Sequence, residues 1–183
     1  RYIFVRTFLY KKLSFSKKEK KMDQIVNKVE KLPLDTIDIK ELYQNGVRAQ
    51  LKFSDLIDDG VLIEKQFRKQ LKEFNWNQFN NAFVYVTFDK DQIIPSWAYL
   101  LLSYYLSEVC KDFVIGSLRN LEEKLYAQEI SKINFDLYAD KKVIIKGCSE
   151  IPYSEFVYFE LTRKLSGVAY SLMYGEPCSR VPI

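Results

Sequence analysis

Cys110, Cys148 and Cys178 are the only thiols in a 183-residue chain that contains no histidine. Without an imidazole the chain holds no Ser-His-Asp or Cys-His triad, no histidine general base and no histidine-containing zinc site. Three thiols also fall short of a four-cysteine centre within one chain. Site chemistry therefore falls to thiols, carboxylates and lysines. Cys148 stands in the run Val-Ile-Ile-Lys-Gly-Cys-Ser-Glu and Cys178 follows Gly175-Glu176-Pro177. Each glycine lets backbone come close to a ligand. Cys148 reads as lying just ahead of a helix, where backbone N–H groups and the macrodipole favour thiolate. Cys110 ends the most apolar helical stretch and reads as packing.

Two thiols at one place would bind or relay a soft metal, an iron–sulfur intermediate or sulfur. Zinc, iron or an iron–sulfur cluster asks for about four donors. Cys148 and Cys178 supply two; Glu176, Asp89 or Asp91 offer oxygen, and a second subunit of a homodimer offers two further thiolates. A thiol-dependent enzyme with Cys148 as nucleophile and a carboxylate or lysine as base is an alternative. A protein-interaction scaffold in which both thiols merely pack is another. Nothing marks the chain as secreted, which disfavours a structural disulfide, and no Cys-x-x-Cys redox pair is present. No glycine-rich phosphate loop occurs. Asp89 and Asp91 resemble a catalytic pair but are equally at home in a solvated loop. Ser149 and Ser179 lack an identifiable activating partner. Trp97, Tyr104 and Tyr105 fall at core spacing rather than forming a binding platform.

The elements that must position these residues follow from hydrophobic pattern. Residues 22–31 carry a weak helical pattern (Ile25, Val26, Val29), closed by Pro33. Val47, Ala49, Leu51 and Phe53 alternate with polar residues after an Asn45-Gly46 turn, a half-buried strand. Phe67, Leu71 and Phe74 stripe a helix. Three apolar runs, Ala82–Phe88, Phe113–Ile115 and Val143–Ile145, then read as buried strands. Helices carrying Trp97–Cys110, Leu118-Leu121-Leu125 and Val157-Leu161-Leu165 alternate with them, and Gly167 caps the last. Val168–Tyr174 is the final run. No internal sequence repeat, low-complexity tract or second-domain linker is evident after Met22.

That order predicts an α/β fold, three-layered, with a mostly parallel sheet, helices on both faces and an N-terminal α+β extension. Ligands of such sheets bind outside the carboxyl ends of the strands. Four exits qualify: Asp89-Lys90-Asp91, Gly116-Ser117, Gly147-Cys148-Ser149 and Gly175–Ser179. Both Cys148 and Cys178 are thus expected at one edge.

Charge is unevenly spread. The formal net charge is +4. Residues 1–21 hold Arg1, Arg6, Lys11, Lys12, Lys17, Lys18, Lys20 and Lys21 against Glu19 alone, while the remainder has more acids than bases. Residues 1–21 read as a basic disordered extension preceding a single α/β domain over 22–183. The acidic body argues against a nucleic-acid groove on the domain. No stretch approaches the roughly 20 apolar residues of a membrane span.

Several segments resemble a bacterial family catalogued as a domain of unknown function, number 2480. They are Lys31–Ile39, Ile93–Leu102, Glu129–Phe135, Val143–Pro152 and Ser171–Pro182. The resemblance covers residues 22–183 and none of the basic extension. It implies a soluble cytoplasmic protein without an assigned activity, and it carries over Cys148 and Cys178. It also implies a thiol or imidazole near the end of the first run, where this chain has Thr87-Phe88-Asp89. Association of such proteins with iron–sulfur assembly genes implies an accessory role with iron–sulfur assembly proteins as partners. Similar proteins are expected to extend past Ile183.

Overall fold

The structure is a computed structural model, described over residues 34–57, 62–89 and 93–183. The expectations for residues 1–21 and for the weak helix at 22–31 lie outside the described residues, as does Asp91.

The chain is α/β, with mostly parallel strands and alternating helices. The strands are β1 (Leu34–Asp38), β2 (Arg48–Lys52), β3 (Phe83–Thr87), β4 (Asp112–Ile115), β5 (Lys142–Lys146), β6 (Ser171–Glu176) and β7 (Ser179–Pro182). The helices are α1 (Glu64–Glu73), α2 (Ser96–Val109), α3 (Leu118–Ser131) and α4 (Ser154–Leu165). Short 3₁₀ turns follow β1 and β2 and precede β3 and β5.

These strands form two sheets where the sequence reading had one. Strands β1, β5 and β6 pair in parallel, and β7 folds back antiparallel onto β6. Strands β2, β3 and β4 form a second, wholly parallel sheet. The division arises because β1 skips over the next three strands to pair with β5. Its five residues, Leu-Asp-Thr-Ile-Asp, are too short and polar to announce a strand. Val84, Val86, Leu51 and Phe53 form a core with Phe67 and Leu71 of α1 and Ala98, Leu102 and Leu106 of α2. Leu121 and Leu125 of α3 cover the opposite face at Phe83, Tyr85 and Val114. Further along α3, Tyr126 and Ile130 join Ile37, Val143, Ile145 and the α4 residues Val157, Leu161 and Leu165. Helix α3 thus belongs to both cores. Each fully buried aliphatic or aromatic side chain here contributes roughly 1.5–3 kcal/mol.

The two sheets repeat one order of elements, a structural repeat without a repeat of residue identity. The elements within residues 64–116 and 123–175 follow one another at one fixed sequence offset, that between Phe83 and Lys142. The 3₁₀ turn Trp76–Phe79 answers Phe135–Tyr138, β3 answers β5, and β4 answers β6. Six pairs of buried residues correspond: Phe67 and Tyr126, Leu71 and Ile130, Val84 and Val143, Val86 and Ile145, Leu102 and Leu161, Leu106 and Leu165. Asn81 and Asp140, both left-handed (φ 56 and 58), occupy the same turn. Gly116 and Gly175, with φ of 130 and 121, end the same strand. The first strands match as well: Leu51, Phe53 and Leu56 answer Ile37, Ile39 and Leu42, all buried. Even the register is shared, since Lys52 faces Thr87 as Asp38 faces Lys146. The second copy is discontinuous, because the whole first copy lies between β1 and α3.

Between the copies sits a buried ion pair. Arg48 of β2 donates from Nε to Glu122 Oε1 of α3 at 2.7 Å and from a terminal nitrogen to Oε2 at 3.1 Å. Its guanidinium lies over the rings of Tyr43 and Phe83.

Candidate functional site

Strands β1, β5 and β6 run in parallel, so their carboxyl ends meet along one edge. Asp38 closes β1 and caps the following 3₁₀ turn, accepting the Lys40 N–H at 2.9 Å. β5 ends at Lys146 and is followed by Gly147-Cys148-Ser149-Glu150. These two exits enclose a polar cleft of about 260 Å³ lined by Asp38, Lys40, Lys146, Gly147, Cys148, Ser149 and Glu150.

Charge in the cleft is balanced locally. Lys146 Nζ lies 3.2 Å from Asp38 and 3.5 Å from Glu176, so one ammonium ties the ends of all three parallel strands together. Lys40 pairs with Glu150 at 2.5 Å. Burial opposes ionisation of Asp38, but the Lys40 N–H and the Lys146 ammonium outweigh it and hold its pKa low. The hydrogen bond from Lys40 holds the Glu150 carboxyl low, and the same contact raises Lys40. The cleft is therefore fully charged at neutral pH around an uncharged Gly-Cys-Ser backbone.

Two tyrosines back this loop. The rings of Tyr158 (α4) and Tyr174 (β6) meet edge to face at 5.6 Å. A Cβ on Gly147 would stand 2.5 Å from the Tyr174 hydroxyl and 2.9 Å from that of Tyr158. Glycine is required there by close approach. Burial first, then the Tyr174 hydroxyl, raise the Tyr158 pKa, while the Cys148 backbone and Ser154 oppose the rise.

The residues expected from sequence are spread unequally about this cleft. Cys148 and Ser149 line it. Cys148 is half-buried and its side chain packs on the core of Ile37, Val143, Val157 and Leu161. It does not lie at a helix N-terminus: residues 149–153 intervene, α4 starts at Ser154, and Tyr153 before it is left-handed. The dipole acts over the first turn only, so it is not what conditions this thiol. Glu176 reaches the margin through Lys146. Cys178 is exposed at the turn of the β6–β7 hairpin, between Glu176 and Ser179. The expected loop after the last strand is thus a tight reversal into a further strand. Asp89 follows β3 in the other sheet, at the position that Cys148 occupies after β5. The exits of β3 and β4 belong to that second sheet. Among the described residues, no group of three or more Cys, Asp or Glu is arranged to hold a metal ion. Cys110 packs against the core of Phe67, Val84 and Leu106, and burial pushes its thiol up to about 11.

Sequence reasoning missed Asp38, Lys40, Lys146 and Glu150 as site residues. The signal was available only for Lys146 and Glu150, which flank the Gly-Cys-Ser run. Asp38 and Lys40 lie more than a hundred residues away and arrive through the β1–β5 pairing.

A family model described as a protein of unknown function, DUF2480, matches residues 23–183. No curated protein and no solved structure matches the chain.

Proposed function

The chain belongs to the DUF2480 family, and from that premise we propose a binding or relay protein whose cargo is held at the Cys148 thiol. The observation that carries this reading is the position of Cys148 in the cleft, beside Lys40 and Lys146 at the carboxyl edge of the first sheet. In parallel sheets that edge is where ligands bind.

Of the cargoes such a thiol accepts, sulfur makes the least demand. A persulfide needs one cysteine: the Cys148 thiolate attacks the outer sulfur of a persulfide donor, forming Cys148 Sγ–S and releasing the donor as its thiolate. A soft metal or an iron–sulfur intermediate asks for more donors than one thiol. Cys178, Glu176 or Asp89, or cysteines of a second copy, would have to supply them. Iron–sulfur assembly proteins are the corresponding partners, and a cytoplasmic setting suits a free thiol.

Anaerobic purification followed by metal and sulfide analysis tests the reading. Labile sulfur in the wild type and in Cys178→Ser, but absent from Cys148→Ser, is the expected result. Metal lost from both variants would favour the shared-metal form instead. Wild-type contents unchanged in Cys148→Ser would contradict both.

A second reading, an enzyme with Cys148 as nucleophile, draws on the Tyr158 hydroxyl beside the Cys148 backbone. It predicts turnover of an electrophilic substrate that Tyr158→Phe slows while sulfur loading is unchanged. If both cysteines are only structural, the double serine variant keeps every property.

A further inference from the structure

The outward faces of the helices differ in kind. α1 exposes Arg68, Lys69 and Lys72, and α4 exposes Glu155, Arg163 and Lys164 around a single apolar residue, Phe159. The outward stripe of α2 is Tyr99, Leu100, Ser103, Tyr104 and Ser107, with a single charge, Glu108, at its end. Tyr99, Leu100 and Tyr104 are 37%, 73% and 60% exposed. The internal repeat supplies a control, because α4 holds the same place in the other copy. There Phe159 stands where α2 has Leu100, and Arg163 where α2 has Tyr104. The motif therefore tolerates a charge at the centre of this stripe, where α2 has an aromatic ring.

Beside the stripe runs an apolar groove of about 510 Å³ between α2 and β4. Val86, Leu102, Leu106 and Phe113 form its floor, and Leu100 and Ile115, the latter 56% exposed, form its rims. We infer that this face docks a second copy of the chain in a two-fold dimer, Leu100 and Tyr104 of each copy entering the groove of the other.

Three observations select a second copy. First, the face carries only Glu108 and a groove-lining Lys124 that is already paired with Asp112, so it meets itself with little repulsion, as an isologous interface must. Second, the area suffices. Tyr99, Leu100, Tyr104 and Ile115 expose on the order of 400 Å² of apolar surface, about the apolar share of the ~800 Å² each partner gives a standard interface. Third, the contact is confined to side chains. At the β4 edge the Phe113 carbonyl accepts from Lys124 Nζ at 2.7 Å, and the Phe113 N–H donates to Asp112 at 2.7 Å. Phe113 thus offers no free backbone group to an added strand, so an extended peptide is the poorer occupant.

Sedimentation equilibrium of the full chain tests the inference. Wild type is expected to dimerise, and Tyr104→Arg to weaken the dimer at least about tenfold, as loss of a central aromatic contact does. Tyr104→Arg installs the residue that the other copy carries at this position, so the fold tolerates it. Leu100→Glu is the second variant, and Phe159→Glu on α4 should leave association unchanged. A wild type that stays monomeric at its highest soluble concentration overturns the inference, even if α2 binds some other protein. A dimer that survives both α2 variants, or that only Phe159→Glu dissociates, overturns it equally.

Discussion

Lys146 organises the candidate site. Its ammonium reaches Asp38 and Glu176, and its neighbours Gly147 and Cys148 form the cleft wall. At this scale the three cysteines are chemically distinct. Cys178 is exposed, Cys148 is half-buried in an open cleft, and Cys110 is held protonated by burial. Alkylation near pH 8, followed by peptide mass spectrometry, should therefore label Cys178 and Cys148 well before Cys110. Equal labelling of Cys110 would contradict its placement. Glu122 makes a second residue-level prediction. It is 2% exposed and pairs with an Arg48 that is 12% exposed. Glu122→Ala strands a buried guanidinium and should cost about 3 kcal/mol in urea melts, whereas replacing both partners by apolar residues should cost much less. Equal losses for the single and double variants would show that the pair itself, rather than the stranded charge, sets the cost.

Strand edges are the informative feature among the elements. Phe113 of β4 and Leu172 of β6 are equivalent, and both carbonyls need a partner beyond the sheet. Leu172 obtains it from the Ile183 N–H at 3.1 Å, next to β7, while Phe113 obtains it from Lys124. One copy closes its edge with a strand and the other with a side chain. Burial opposes ionisation of Asp112, but bonds from Lys124, Gln128 and the Phe113 N–H prevail and lower its pKa. A depressed carboxylate stabilises the fold above its unfolded pKa of about 3.9, and the contribution disappears as pH falls through the folded value. Asp112→Asn should lose about 1 kcal/mol at neutral pH and converge on wild type below about pH 4, as followed by urea melts across pH. A loss that persists undiminished in acid would mean the clamp is not electrostatic. Which elements were legible follows the same physics. Phe83–Thr87 and Lys142–Lys146 are apolar enough to declare themselves. β1 and β7 are not, because an edge strand of four or five residues can be half polar or fully exposed.

For the whole molecule, the repeat explains both what pattern reading recovered and what it missed. The α/β class follows from alternating periodicities, which each copy repeats. The repeat itself escaped notice because the copies preserve burial and turn geometry rather than residue identity, and because β1 is severed from its own copy. Cys148 was legible as a thiol beside a glycine. Its cleft was not, since Asp38 and Lys40 reach it only once the intervening copy is folded. The copies have also diverged in chemistry. Where the first sheet places Lys40, Lys146 and Cys148, the second has Ser54, Thr87 and Asp89. A cargo site of the proposed kind thus belongs to one half only. The most direct measurement is intact-protein and peptide mass spectrometry after incubating the full chain with a small-molecule persulfide. The mass of one added sulfur is expected on the Cys148 peptide, removed by cyanide and absent from Cys148→Ser while Cys178→Ser still carries it. Sulfur found only on Cys178, or on no cysteine, would contradict Cys148 as the cargo site.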